Sequence, residues 1–149
     1  MQKNTTDLAS HLNYLRLPYS RDHYDEVIKT AASKEWTHFQ FLSELVKQEV
    51  NLKKDRVIQR RINAAKFPVI KTIDDFNWSW PKKINKAQVQ NIFRLKFIES
   101  KSNIVLIGGV GLGKTHIATA LGYKACLNGH AVLFCSTIDA VNNLIAAQN

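Results

Sequence analysis

Cysteines, late acidic residues and long apolar runs are all scarce in this 149-residue chain, and each scarcity removes a class of function. Only Cys126 and Cys135 occur, with no Cys-x-x-Cys or Cys/His ligand spacing, which excludes a disulfide framework and a zinc site. Both thiols are expected as small buried apolar residues in a reducing compartment. The five histidines, His11, His23, His38, His116 and His130, are scattered without metal or triad spacing. No run approaches the ~18 apolar residues of a membrane span. Met1 to Thr6 has no apolar segment behind it, so neither a secretory signal nor an anchor is expected, and the chain is assigned to the cytoplasm with no membrane partner. Acidic residues almost vanish late in the chain: after Thr115 there is only Asp139, and after Arg94 there is no arginine. Glycine is also sparse, yet four of the six glycines fall between Gly108 and Gly113.

Those glycines belong to Gly108-Gly109-Val110-Gly111-Leu112-Gly113-Lys114-Thr115, which fits the phosphate-binding pattern G-x-x-x-x-G-K-[ST] at every fixed position. Glycines let the backbone curl so that successive N–H groups converge on phosphate oxygens, backed by the positive end of the following helix. Lys114 is expected on the β- and γ-phosphates, and Thr115 on Mg²⁺. His116 stands either beside the α-phosphate or at a first-turn position facing solvent. The flanks fit the motif. Asn103–Ile107 is an apolar run of buried-strand length, and Ile117, Ala120, Leu121 and Cys126 recur at helical spacing until Asn128-Gly129. A second strand-like run, Ala131–Cys135, precedes a last helix capped by Ser136 or Thr137, with Ile138, Val141, Leu144 and Ile145 on its apolar side.

The net charge of +9 points to a polyanionic partner. Residues 7–66 read as helices: Leu8, Leu12 and Leu15 make a first series, Val27, Ile28 and Ala31 a second beginning near Asp22, and Phe41, Leu42, Leu45, Val46 and Val50 a third. From Lys47 to Lys66, seven basic residues stand against Glu49 and Asp55, a net +5. On a helix Lys53, Arg56 and Arg60 share one face and Lys47, Lys54 and Arg61 a neighbouring one, with Leu52, Val57, Ile58 and Ile62 on the buried side. Such a face can dock on DNA phosphates, although a charge run is more often simply solvated. Phe67-Pro68 ends the helix. Val69–Pro81 is aperiodic, a linker whose aromatics are expected to pack onto the next domain, and Lys86–Glu99 returns to helical spacing.

Leu15-Arg16-Leu17-Pro18, Arg60–Pro68, Lys71–Phe76 and Gly108–Leu121 together make the chain resemble the IstB-like family, ATP-binding helper proteins of a class of bacterial insertion sequences, closely related to the DnaC helicase loaders. The resemblance implies an α/β fold: a helical, basic, DNA-facing domain over residues 1–68, a linker over 69–85, and over 86–149 the N-terminal portion of a P-loop (AAA+) parallel-sheet domain. It implies ATP and Mg²⁺ as cofactors, with Phe76 or its neighbours close to the base. As partners it implies double-stranded DNA and a transposase or replicative helicase, and self-association into a homo-oligomer at full length. In the family's sheet later strands separate the two strand-like runs seen here, so both are expected to have unpaired edges.

The chain departs from the pattern where hydrolysis is concerned. An apolar strand ending in acidic residues and an arginine finger are required for phosphoryl transfer in this fold, and neither follows Thr115. The sequence therefore reads as the N-terminal portion of a longer protein, with no catalytic residue assigned and no hydrolysis expected of the chain alone. Three other readings compete with a transposition helper: a helicase loader, which differs only in partner; a small-molecule kinase, which would need no basic helical region; and a non-catalytic fragment that binds DNA or protein.

Overall fold

Helices form where three- and four-residue apolar spacing holds, and among the residues that the computed structural model describes, 3–80 and 84–148, there are seven. Pro81, expected at the end of the linker, lies outside the described residues. The chain divides into two units, Met1–Val57 and Ile58–Asn149.

In the first unit, α1 (Lys3–Tyr14) is followed by α2 (Pro18–Ser33), which starts earlier than its apolar spacing predicts because Pro18 occupies a first-turn position where its missing N–H is no loss. The next helix, α3 (His38–Ala64), runs on into the second unit. Its start is fixed by a reciprocal cap: Thr37 N donates to Gln40 Oε1 at 2.8 Å and Gln40 N donates to Thr37 Oγ1 at 3.3 Å. Val27 is buried here together with Ser20 and Glu49. The Glu49 carboxylate accepts from Ser20 N at 3.0 Å and Ser20 Oγ at 3.3 Å, placing negative charge at the N-terminal turn of α2, where the helix dipole favours it. Its other oxygen, Oε1, is buried with no hydrogen-bond partner among the described residues.

The second unit is organised around α6 (Lys114–Leu127), which buries Ile117, Thr119, Ala120, Leu121, Ala125 and Cys126. One cluster joins Cys126 to Ile62 and Ala65 at the end of α3, with Phe67 and Val132 against it. A second joins Leu121 and Ala125 to Leu95. The single helix expected over 86–99 is in fact two, α4 (Lys86–Ile92) and α5 (Lys96–Glu99). They are divided at Leu95, whose left-handed conformation (φ 61°) interrupts the helix while its side chain is buried in that second cluster. The last helix, α7 (Thr137–Ala146), is capped by Ser136, whose hydroxyl accepts from Asp139 N at 3.1 Å.

The expected parallel sheet is not formed: the described residues contain no strand, so the fold is helical and the α/β expectation is corrected. Residues 103–107 and 131–135 run between helices without regular structure, and a strand exists only through hydrogen bonds to a neighbour about 4.8 Å away. Neither run has such a ladder among the described residues, and the one backbone bond recorded for them is Phe134 N donating to Ala65 O at 2.8 Å. Burial alternates along both. Ile104, Leu106, Val132 and Phe134 are half-buried, whereas Val105, Ile107, Leu133 and Cys135 are exposed, with Ile107 at 92%. One covered face, not two, is what an extended segment shows when it lies against helices on a single side. The same geometry corrects the reading of the thiols. Cys126 is buried, and burial pushes its thiol pKa up, but Cys135 is exposed. Apolar-face assignments change as well: Leu8, Leu15, Ile28, Leu42, Val46 and Val50, expected in a helix-bundle core, are exposed, as are Val57 of α3 and Ile138, Val141, Leu144 and Ile145 of α7.

Packing around α6 yields a stability prediction. A Cβ at Gly122 would lie 2.9 Å from Phe67 Cε1 and 3.3 Å from Val132 Cγ1. Gly122→Ala should therefore destabilise the second unit by about 1–3 kcal/mol through overpacking, read from urea unfolding followed by circular dichroism. An unchanged midpoint would show that the Phe67 ring swings aside freely.

Candidate functional site

The glycine-rich loop ends on Gly113, the N-cap of α6, with φ 80°, and Gly111 has φ 77°. Both lie in the left-handed region that favours glycine. A Cβ at Gly113 would also stand 2.6 Å from Cε2 of Phe76, so this position excludes a side chain on two grounds. At Gly108 a Cβ would meet Leu112 Cδ1 at 3.4 Å, an ordinary van der Waals contact. Gly109, Val110 and Gly111 are exposed, and Leu112 and Gly113 half-buried.

Beyond Gly113, Lys114, Thr115 and His116 form the first turn of α6, where backbone N–H groups lack intrahelical acceptors and carry the positive end of the dipole. Ile117 N donates to Gly113 O at 2.9 Å and closes the first helical turn. Lys114 turns its ammonium back into the loop, donating to Gly109 O at 2.5 Å. Thr115 is exposed beside it. The curled backbone, the inward lysine and the free N–H groups fit an anionic phosphate group. A cavity of about 470 Å³ adjoins Lys114, lined mainly by apolar residues of α4 and residues 104–107.

Of the two placements expected for His116, the solvent-facing one is not adopted. Half-buried, it brings Nε2 to 2.8 Å from Thr72 O, and since a carbonyl only accepts, Nε2 carries the hydrogen. Its ring meets Phe76 edge-on, with centroids 5.2 Å apart at 87°. Phe76 is itself buried and packs against Trp78 at 4.9 Å, so it covers Gly113 while Trp80 stays exposed. The segment is shaped by a reciprocal turn that the sequence reading missed. Thr72 N and Oγ1 donate to Asp75 Oδ2 at 3.2 and 2.7 Å, and Asp75 N donates to Thr72 Oγ1 at 3.4 Å. The Thr-x-x-Asp spacing was the available signal. These bonds hold the Asp75 carboxyl below its ordinary 3.8. Because the folded value is the lower one, the turn gains from the charged form above the ordinary value and loses it as pH falls through the lowered one.

The basic residues divide differently. Lys47, Lys53, Lys54, Arg56 and Arg60 are exposed along α3, and Arg61 is half-buried near Gly129. Lys47 lies 3.8 Å from Glu44, while Lys53, Lys54, Arg56 and Arg60 have no ion pair among the described residues. Asp139, the only carboxylate after Thr115, is engaged locally, accepting from Ser136 Oγ at 2.6 Å. No group of three or more metal-ligating side chains occurs, and no helix is long and apolar enough to cross a membrane, among the described residues.

Comparison with known proteins places this chain in a family. The family model described as IstB-like ATP binding protein matches residues 10–149. A Pseudomonas aeruginosa protein named for ATP binding in insertion sequence IS21 is 33% identical over 95% of this chain and 54% of its own length. A counterpart from insertion sequence IS232 of Bacillus thuringiensis is 29% identical over 99% of this chain and 59% of its own length. Another, from IS5376 of Geobacillus stearothermophilus, is 32% identical over 95% and 56%. The chain thus spans about half the length of the curated relatives it matches. With a matched region that covers nearly all of its residues, including the glycine-rich loop, this chain belongs to the IstB-like ATP binding protein family.

Proposed function

We propose that the chain binds ATP with Mg²⁺ through Gly108–Thr115 and double-stranded DNA through the basic part of α3, as a helper of a transposase in the movement of an insertion sequence. The observation that carries the reading is the loop itself, two left-handed glycines closing onto the N-terminus of a 14-residue helix with Lys114 turned inward. In this reading the N–H groups of residues 111–115 surround the phosphates and Lys114 exchanges the Gly109 carbonyl for β- and γ-oxygens. The Thr115 hydroxyl is the Mg²⁺ ligand. The relatives' names, which tie them to insertion sequences, favour transposition over helicase loading. Self-association at full length is part of the same proposal.

The loop assignment is tested by calorimetry with ATP and Mg²⁺. Lys114→Ala should weaken binding by about 1.5–3 kcal/mol, the usual loss for a charged hydrogen bond, and equal affinity in the mutant would refute the cradle.

DNA contact is supported by the exposure of Lys53, Arg56 and Arg60 without ion pairs. The full chain should bind duplex DNA with little sequence preference and an affinity that falls steeply with salt. Lys53→Gln, Arg56→Gln and Arg60→Gln combined should flatten the slope of log affinity against log salt by about 2–3. If the slope stays the same, this face is only solvated.

Hydrolysis is a separate matter. Lys114 and Thr115 supply ground-state contacts, but transition-state charge requires further groups, of which an arginine finger alone is worth ~10³–10⁵ in rate. Asp139 is held by Ser136 at the start of α7 and is assigned no catalytic part. Purified protein should release phosphate no faster than Lys114→Ala, with or without DNA. Turnover on the order of 1 per second that disappears in the mutant would overturn this.

A further inference from the structure

Residues 72–78 lie on the first turn of α6 at two points, and both touch the phosphate loop's junction with that helix. Thr72 O accepts from His116 Nε2, and the Phe76 ring covers the Gly113 backbone. His116 commits Nε2 to a carbonyl, and Phe76 is apolar and 6% exposed. The Thr72–Asp75 turn fixes the spacing between these two points, and Phe76 N donates to Ile73 O at 3.2 Å within it. Trp78 packs against Phe76 with ring centroids 4.9 Å apart and carries Lys86 Nζ 5.1 Å over its ring.

We propose that His116 and Phe76 are positioning residues, a clamp through which docking of residues 72–78 and filling of the phosphate loop reinforce one another. The physical argument begins at Gly113. Its left-handed conformation is open to glycine but not enforced by it, because glycine has more backbone freedom to lose than any other residue. A buried ring on one side and a hydrogen bond from the residue three positions beyond Gly113 restrict that freedom before a ligand arrives, which is preorganisation. The coupling is reciprocal: whatever the clamp adds to ligand affinity, the bound ligand adds to the clamp. The segment that leads into α4 would thus report the state of the loop through its own order.

The inference rests on the ATP-binding reading, and its test separates the two. The 149-residue chain is compared as wild type, His116→Ala, His116→Gln, Phe76→Leu and Lys114→Ala, with ATP and Mg²⁺ as probe. Two quantities are measured: calorimetric affinity, and amide hydrogen exchange across residues 72–78 with and without ATP. His116→Ala should weaken ATP about five-fold, and His116→Gln, whose amide can still donate to Thr72 O, should recover most of that loss. ATP should slow exchange across 72–78 in the wild type and have little effect on it in His116→Ala. Phe76→Leu removes the ring from Gly113 without touching the hydrogen bond, and should show the same loss of coupling even if His116→Ala proves unstable. Unchanged affinity in His116→Ala and Phe76→Leu, or ATP-induced protection that persists in them while Lys114→Ala abolishes binding, overturns the clamp and leaves the ATP reading standing. If Lys114→Ala binds ATP as the wild type does, the ATP reading fails and the clamp falls with it.

Discussion

Two glycines let phenylalanine rings close onto α6, and the second unit depends on those approaches. Gly122, within the helix, faces Phe67, and Gly113, at its N-cap, faces Phe76; in each case a Cβ would come within 3 Å of the ring. Phe67 helps to seal the cluster of Ile62, Ala65 and Cys126, so the segment leaving α3 is held against the middle of α6. Phe76 holds the later segment against the start of α6. Burial of α6 therefore does more than stabilise: it fixes the direction of the helix whose first turn presents N–H groups to the glycine-rich loop.

Electrostatic roles divide in the same way between held and unheld groups. Lys114 and the first turn of α6 put positive charge at the mouth of a loop exposed over residues 108–111, an arrangement that attracts anions. Glu49 does the opposite in the first unit, where its carboxylate answers the N-terminus of α2 through Ser20. Its second oxygen, buried without a partner among the described residues, identifies Glu49 as a costly residue there, since an unsatisfied buried oxygen offsets part of what the Ser20 bonds contribute.

Among the described residues of the second unit, apolar surface is exposed along the two runs that lack a ladder and along α7. Val105, Ile107 and Leu133 point away from the covered faces of their runs, and the apolar side of α7 is open. Extended backbone without neighbours cannot satisfy its N–H and C=O groups by itself, and water does so where the segment is on the surface. The loop is nevertheless positioned, because its C-terminal anchor is α6 and not a sheet.

Local order was legible in the sequence, by rules that operate within a few residues. The fixed positions of Gly108–Thr115, the stop at Asn128-Gly129, the Ser136 cap and the end of α3 before Phe67-Pro68 are each set by backbone freedom, a missing N–H or a nearby side-chain acceptor. Only tertiary structure decided the rest. Whether 103–107 and 131–135 become strands depends on partners elsewhere in a fold, and apolar composition cannot report whether those partners are present. Leu95 broke a helix that its spacing supported, in a left-handed conformation that accompanies its burial beside Leu121 and Ala125. His116 was placed by a carbonyl 44 residues away in sequence, a relation that no local pattern encodes because it exists only once residues 72–78 are folded onto α6.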